Sequence, residues 1–253
     1  MPTYAITGAR SGIGYGYVAH LFSSPSNTVL ALVRSLDGPL SDLRTLQASS
    51  EARIHIVECD VSSEPSILAL PSRLGTLLGD EFKIDVLINN AAVLSNPAET
   101  SLTLTESGLV DNMTANVLGP ARTLQVLLPH FHSRSKGIDE EIRPRRRTVV
   151  ANITSGAGSK TWVRNGVVPS ALTGYAISKA ALNMPTVHQA KHLESRGVVV
   201  VAVDPGHVKT PSGGPGATLE VEDCVKGVLG MLDGLRMEDT GKFYLYDGRE
   251  VPW

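Results

Sequence analysis

TGARSGIG, Thr7 to Gly14, follows the β-forming run TYAIT and opens onto a stretch of helical period. Its glycines, Gly8, Gly12 and Gly14, have a GxxxGxG spacing. Glycine permits a tight turn, close backbone approach to a pyrophosphate, and close packing of the next helix on the strand. The helix N-terminus then offers free N–H groups and a positive dipole end to phosphates. Strand, turn and helix in this order point to a dinucleotide-binding α/β fold. Arg10, Ser11 and Ile13, between the glycines, are candidate contacts of the same cofactor.

Outward from the turn, short β-branched runs alternate with amphipathic stretches. TYAIT, NTVLALV, RIHIVE, KIDVLIN, RTVVANI, GVVVVAV and KFYLYD are the strand candidates. Most are nearly continuous apolar runs, as parallel strands covered on both faces require. SILALPSRLGTLLG, LQVLLPHFHSR and VEDCVKGVLGMLDGL carry helical periods between them. Such alternation predicts a doubly wound α/β Rossmann fold, about seven parallel strands flanked by helices on both faces. Neither a repeat nor a Pro/Gly/Ser linker divides the chain, so residues 1–253 are expected to form one domain. TPSGGPGA, Thr210 to Ala217, is a candidate mobile loop beside a site.

Composition bounds the function. The chain has 253 residues, 42% hydrophobic and 19% charged, enough to bury a sizeable core. A net charge of -2 does not point to nucleic acid. The basic run Arg143 to Arg147 follows acids at Asp139 to Glu141 and reads as a self-compensating, solvated loop. Cys59 and Cys224 have neither disulfide-framework nor metal-ligand spacing, and no metal is expected. The N-terminus has no apolar signal region and no segment has the length of a membrane span, so a cytoplasmic protein is expected. The N-x-T triplets at Asn112 and Asn152 then read as chance matches.

The end of the second strand candidate selects the cofactor. An acid there would bind the ribose 2′-hydroxyl of NAD. The sequence instead has Arg34, with no acid until Asp37. A cation at this position suits a 2′-phosphate, with Arg10 as a second, and favours NADP over NAD.

In LTGYAISKAALNM, Tyr175 and Lys179 stand four apart, on one face of a helix. A nearby cation favours the phenolate, lowers a tyrosine's pKa and makes it a usable acid/base. Such a pair also arises by accident on ordinary helices, and its spacing alone decides nothing.

Together these motifs resemble the short-chain dehydrogenase/reductase family over nearly the whole chain. TGARSGIG is similar to the cofactor turn of its classical members. CDVSS supplies Asp60 and Val61, matching the pair that the family sets against the adenine. NNAA, with Asn90 and Ala91, resembles its NNAG. NVLGP supplies Asn116, NITSGAGS supplies Ser155, and YAISK supplies Tyr175 and Lys179. DPGHVKT resembles the PGxVxT turn beside the nicotinamide, through Pro205, Gly206, Val208 and Thr210. The resemblance implies a catalytic set of Ser155, Tyr175, Lys179 and Asn116. Tyr175 is then the acid/base, with Lys179 tuning it and both also touching the cofactor. Ser155 holds the substrate oxygen, and Asn116 orders a water that links Lys179 to solvent. It further implies a homodimer or homotetramer joined through the Tyr175 helix.

Finer features resemble C-factor and sniffer-like carbonyl reductases and fungal polyketide ketoreductases such as norsolorinic acid ketoreductase. The expected activity is NADPH-dependent reduction of a ketone or aldehyde on a hydrophobic, aromatic or polyketide-like small molecule. The alternatives are a cofactor-binding regulator or scaffold, and a cyclase or isomerase using the same site. One departure stands out: Ser155 and Tyr175 lie 20 apart, longer than is usual in the family. In that segment Trp162 and Val163 either line a substrate pocket or, for Trp162, cover the core edge. His207 is a candidate substrate contact, whereas His188 and His192 need no role.

Overall fold

The computed structural model describes residues 1–51, 53–132, 147–169 and 171–253. The basic run and its acidic prelude lie, Arg147 apart, outside the described residues. Seven strands form one sheet: β1 (Thr3–Thr7), β2 (Thr28–Val33), β3 (Ile54–Glu58), β4 (Val86–Asn89), β5 (Val149–Ile153), β6 (Val199–Asp204) and β7 (Phe243–Leu245). The order is β3-β2-β1-β4-β5-β6-β7 and every pairing is parallel. Each strand matches one of the seven apolar runs read from the sequence. The helices are α1 (Gly12–Phe22), α2 (Ser41–Ala48), α3 (Glu64–Leu68), α4 (Leu70–Leu78), α5 (Glu106–Met113), α6 (Gly119–Leu127), α7 (Lys160–Arg164), α8 (Thr173–Leu193) and α9 (Val221–Gly234).

Both sheet faces are covered, which explains the unbroken apolar strands. All six residues of β6 are buried. Val199, Val201 and Val203 pack with Tyr17, Val18 and Leu21 of α1 and Val225, Val228 and Leu232 of α9. Val198 and Val200 face the opposite core, with Leu70 and Leu74 of α4, Leu124 and Leu127 of α6, and Ala190 and Leu193 of α8. Each such side chain, fully buried, contributes about 1.5–3 kcal/mol. The helical run after Asp60 divides where a single helix was read. Ala69 separates α3 from α4, and Pro71 falls in the first turn of the second. A proline ring excludes an interior position but is tolerated in a first turn.

Strand order reverses between β1 and β4. In an open parallel sheet, ligands bind outside the carboxyl ends of the strands at such a switch point. The turn after β1 and the NNAA segment after β4 meet there.

Candidate active site

The glycine turn fits against the segment after β4 with no room to spare. Gly8 has φ +68, and a Cβ on it would lie 2.9 Å from Ala91 Cα. A Cβ on Gly14 would lie 2.2 Å from the Gly8 carbonyl oxygen. Thr7 ties the two segments together: its hydroxyl accepts from the backbone N–H groups of Asn90 and Ala91, both at 3.0 Å. Asn90 Nδ2 donates to the Thr7 carbonyl at 2.9 Å. Ser11, the residue before α1, makes no side-chain cap, so the helix N-terminus keeps donors for a ligand.

A cavity of about 340 Å³ opens over this turn. Gly8, Arg10, Ser11, Gly12, Ile13 and Gly14 form its floor, and Asn90 and Ala91 one wall. Arg34, Asp60 and Val61 stand at one end. Tyr175, Lys179, Pro205 and Thr210 also line it. Arg10 and Arg34 are both exposed. Among the described residues neither meets a carboxylate, and a Cβ on Gly38 would touch Arg10 Nη1 at 3.2 Å. Two unpaired cations at one rim thus face the cavity. Asp60 Oδ1 accepts from Ser62 N–H at 2.9 Å and from its hydroxyl at 2.6 Å. Gly206 and Val208 are not among the residues that line the cavity directly. Gly206 (φ +79) backs onto Leu219 and Tyr246, and Val208 is buried in the core beside α9.

At the other side, Tyr175 and Lys179 occupy the first turns of α8. Lys179 is 2% exposed, and its Nζ donates to the Ile153 carbonyl at 2.7 Å. Burial pushes it down to about 7, against the opposing pull of Asp204. Its Nζ stands over the Tyr175 ring, 5.4 Å from the centroid. Burial first, and then the negative charge of Asp204, push Tyr175 above its ordinary value, while a hydrogen bond with Ser155 pulls the other way. Lys179 Nζ is bonded to the Ile153 carbonyl, and Asp204 adds a negative charge near the pair. Tyr175 is consequently held protonated, the form that a proton donor needs.

Ser155 lies at the end of β5, where its hydroxyl accepts from Ala157 N–H at 3.1 Å. Thr154, the neighbouring hydroxyl, is buried and donates to Asn183 Oδ1 at 2.7 Å and the Lys179 carbonyl at 3.2 Å. That commitment leaves Ser155 as the hydroxyl beside Tyr175.

Asn116 occupies a π-helical turn, Thr114–Leu118, between α5 and α6. Such widened turns recur at functional sites. Its Oδ1 accepts from Val93 N–H at 2.8 Å, and its Nδ2 donates to Val93 carbonyl at 3.0 Å and Ser178 Oγ at 2.9 Å. Ser178 then donates to the Tyr175 carbonyl at 2.7 Å. Asn116 is thus joined directly to α8 through Ser178.

Ser178 and Asp204 are the site residues that sequence reasoning misses. Each has a modest signal: a hydroxyl three residues after Tyr175, and an acid ending a strand directly before Pro205. Trp162 falls at the core edge, packed with Ala202, Phe243 and Val251. The His207 ring meets the Gly213 carbonyl at 2.7 Å, inside its own loop. His188 and His192 form an exposed pair further along α8.

Known proteins resemble this chain. Residues 3–216 match the family model described as short chain dehydrogenase. C-signal of Myxococcus xanthus is 35% identical over 170 residues, 67% of this chain and 93% of that protein. Norsolorinic acid ketoreductase of Aspergillus parasiticus is 28% identical over 263 residues, 99% of this chain and 90% of that protein. The crystal structure of NADPH-bound carbonyl reductase from chicken fatty liver has a TM-score of 0.87 at 31% identity, covering 100% of this chain and 99% of that one.

Proposed function

The chain belongs to the short chain dehydrogenase family of oxidoreductases, and from that premise we propose that it is an NADPH-dependent reductase of ketones or aldehydes on hydrophobic small molecules. The observation that carries the reading is one cavity bordered by the glycine turn, by Arg10 and Arg34, which meet no carboxylate among the described residues, and by the Tyr175–Lys179 pair. The residues fit the cofactor: the cradle at Gly8 and Gly14 has no space for a Cβ, and Arg10 and Arg34 suit a 2′-phosphate. NADPH supplies the hydride when bound. Ser155 holds the carbonyl oxygen by its hydroxyl, and Tyr175 donates its phenolic proton to that oxygen as negative charge develops. An alkoxide is a stronger base than a phenolate, so a tyrosine held protonated still gives up its proton in this step. Lys179, which burial pushes down toward neutrality, lies beside Tyr175 to return a proton.

The likeness to norsolorinic acid ketoreductase over nearly the whole chain supports an aromatic or polyketide-like substrate. Ile177, Met184 and Val187 are exposed along α8 and support a homodimer or homotetramer through that helix. We read the whole chain as a single domain working in the cytoplasm. The test is NADPH oxidation by purified protein against a panel of aromatic and aliphatic ketones, quinones and aldehydes. Turnover that Tyr175→Phe abolishes supports the reading, and turnover that survives it sinks the proton donor. The likeness to C-signal favours a second reading, a cofactor-binding signalling protein. NADPH binding with no turnover across the panel would favour that one.

A further inference from the structure

Asp204 ends β6 and is 7% exposed. Its Oδ2 accepts from Gly156 N–H at 2.8 Å and its Oδ1 from Gly206 N–H at 2.9 Å. These partners belong to different walls of the site. Gly156 follows Ser155 directly, and Gly206 begins the loop after β6 that reaches the cavity at Thr210. The first contact leaves no slack, since a Cβ on Gly156 would lie 2.9 Å from Asp204 Oδ2 and 2.8 Å from the Trp162 ring. The carboxylate also has charged and titratable neighbours on both covering layers. Its charge acts on Lys179 and Tyr175 of α8 and on Cys224 of α9. A buried carboxylate is costly unless hydrogen-bonded and paired. Here burial raises Asp204 above the usual carboxylate range, while the N–H bonds from Gly206 and Gly156 and the charge of Lys179 pull it back.

We propose that Asp204 is a positioning residue of this site. Its carboxylate clamps the Ser155–Gly156 turn to the Gly206 turn and sets its negative charge against Lys179 and Tyr175. The assignment deepens the reductase reading and rests on it for its catalytic consequence. The sign follows from the charge. A nearby anion favours protonated Lys179 and protonated Tyr175 alike. Without it, both groups lose their protons at lower pH, so the alkaline limb of the reduction rate moves to lower pH. Asparagine keeps the shape but removes the charge and can accept only one of the two N–H bonds.

The experiment uses the full chain labelled at lysine Cε with carbon-13, as wild type and as Asp204→Asn. Wild type should show one lysine titrating at about 7, lost in Lys179→Arg, while surface lysines titrate at about 10.4. In Asp204→Asn that midpoint should fall by about half a pH unit or more. With a carbonyl substrate, kcat should fall with its alkaline limb displaced downward and KM should rise, while NADPH affinity stays within about two-fold. An unmoved lysine midpoint overturns the proposal, even if the rate falls, because a merely structural residue would behave that way. If Asp204→Asn does not fold, Asp204→Ser, which keeps one acceptor, takes its place in the same titration, and an unmoved midpoint there overturns the proposal equally. The two readings fail separately. A wild type without turnover on any carbonyl refutes the reductase while the lysine titration still decides Asp204. Turnover with an unmoved lysine refutes Asp204 alone.

Discussion

Tyr175 and Lys179 share a helical face, and the ammonium stands over the phenol ring while donating to the Ile153 carbonyl. The electrostatics of the pair are therefore set by burial and by Asp204, with the lysine in the lesser part. Tyr175→Phe should lower kcat by about 100-fold or more, the span of general acid catalysis, with NADPH affinity unchanged in a fluorescence titration. Equal losses in rate and affinity would instead mark a structural tyrosine. At the cofactor end, Arg34→Asp should reverse the preference for NADPH over NADH. A charge-assisted hydrogen bond contributes about 1.5–3 kcal/mol, so the ratio of kcat/KM values should change by about ten-fold or more. An unchanged ratio would leave Arg34 as a solvated strand-end residue. Gly14→Ala has a simpler outcome. Its Cβ would fall 2.2 Å from the Gly8 carbonyl oxygen, so the turn must open, with loss of NADPH binding and of Tm.

At the scale of elements, the segment before α8 is held from a distant part of the chain. Ser159 donates to the Pro252 carbonyl, and Thr161 Oγ1 to the Trp253 carbonyl at 2.8 Å. The Trp253 ring stacks on Phe243 with centroids 5.3 Å apart. α7 is thereby fastened to β7 and to residues 251–253, and Trp162 of α7 closes over Gly156. Loosening this anchor should affect the carbonyl substrate and spare the cofactor. Trp253→Ala is expected to raise KM for the carbonyl several-fold with NADPH affinity intact, by steady-state kinetics. A change in NADPH affinity alone would place the effect elsewhere. The first turn of α8 is held on its other side by the chain of bonds from Val93 through Asn116 and Ser178 to the Tyr175 carbonyl.

At the scale of the whole molecule, α8 also presents an unused surface. Ile177, Met184 and Val187 lie along it, with Val110 on the adjoining α5, all exposed. Sedimentation velocity should show a dimer or tetramer that Met184→Glu dissociates; a monomeric wild type would leave this stripe without the proposed partner. The fold itself was largely legible. Strands buried on both faces must be apolar at every position, so a parallel sheet advertises itself as uninterrupted runs such as Val198 to Val203. The glycine turn is legible for the same kind of reason, because close backbone approach admits one residue type. These are local constraints, and the sequence by itself determined them, together with the helical spacing of Tyr175 and Lys179 and the cation at Arg34. The division at Pro71, the core-edge place of Trp162, the commitment of Thr154 and the role of Ser178 were decided only in three dimensions. So were the clamp at Asp204 and the direction in which Tyr175 and Lys179 are shifted. Each depends on which groups meet across the sheet and on how much water remains around them, and neither quantity is carried by residue type or spacing. Gly156 and Asp204 are 48 residues apart in the chain, and only the parallel pairing of β5 with β6 brings them within a hydrogen bond.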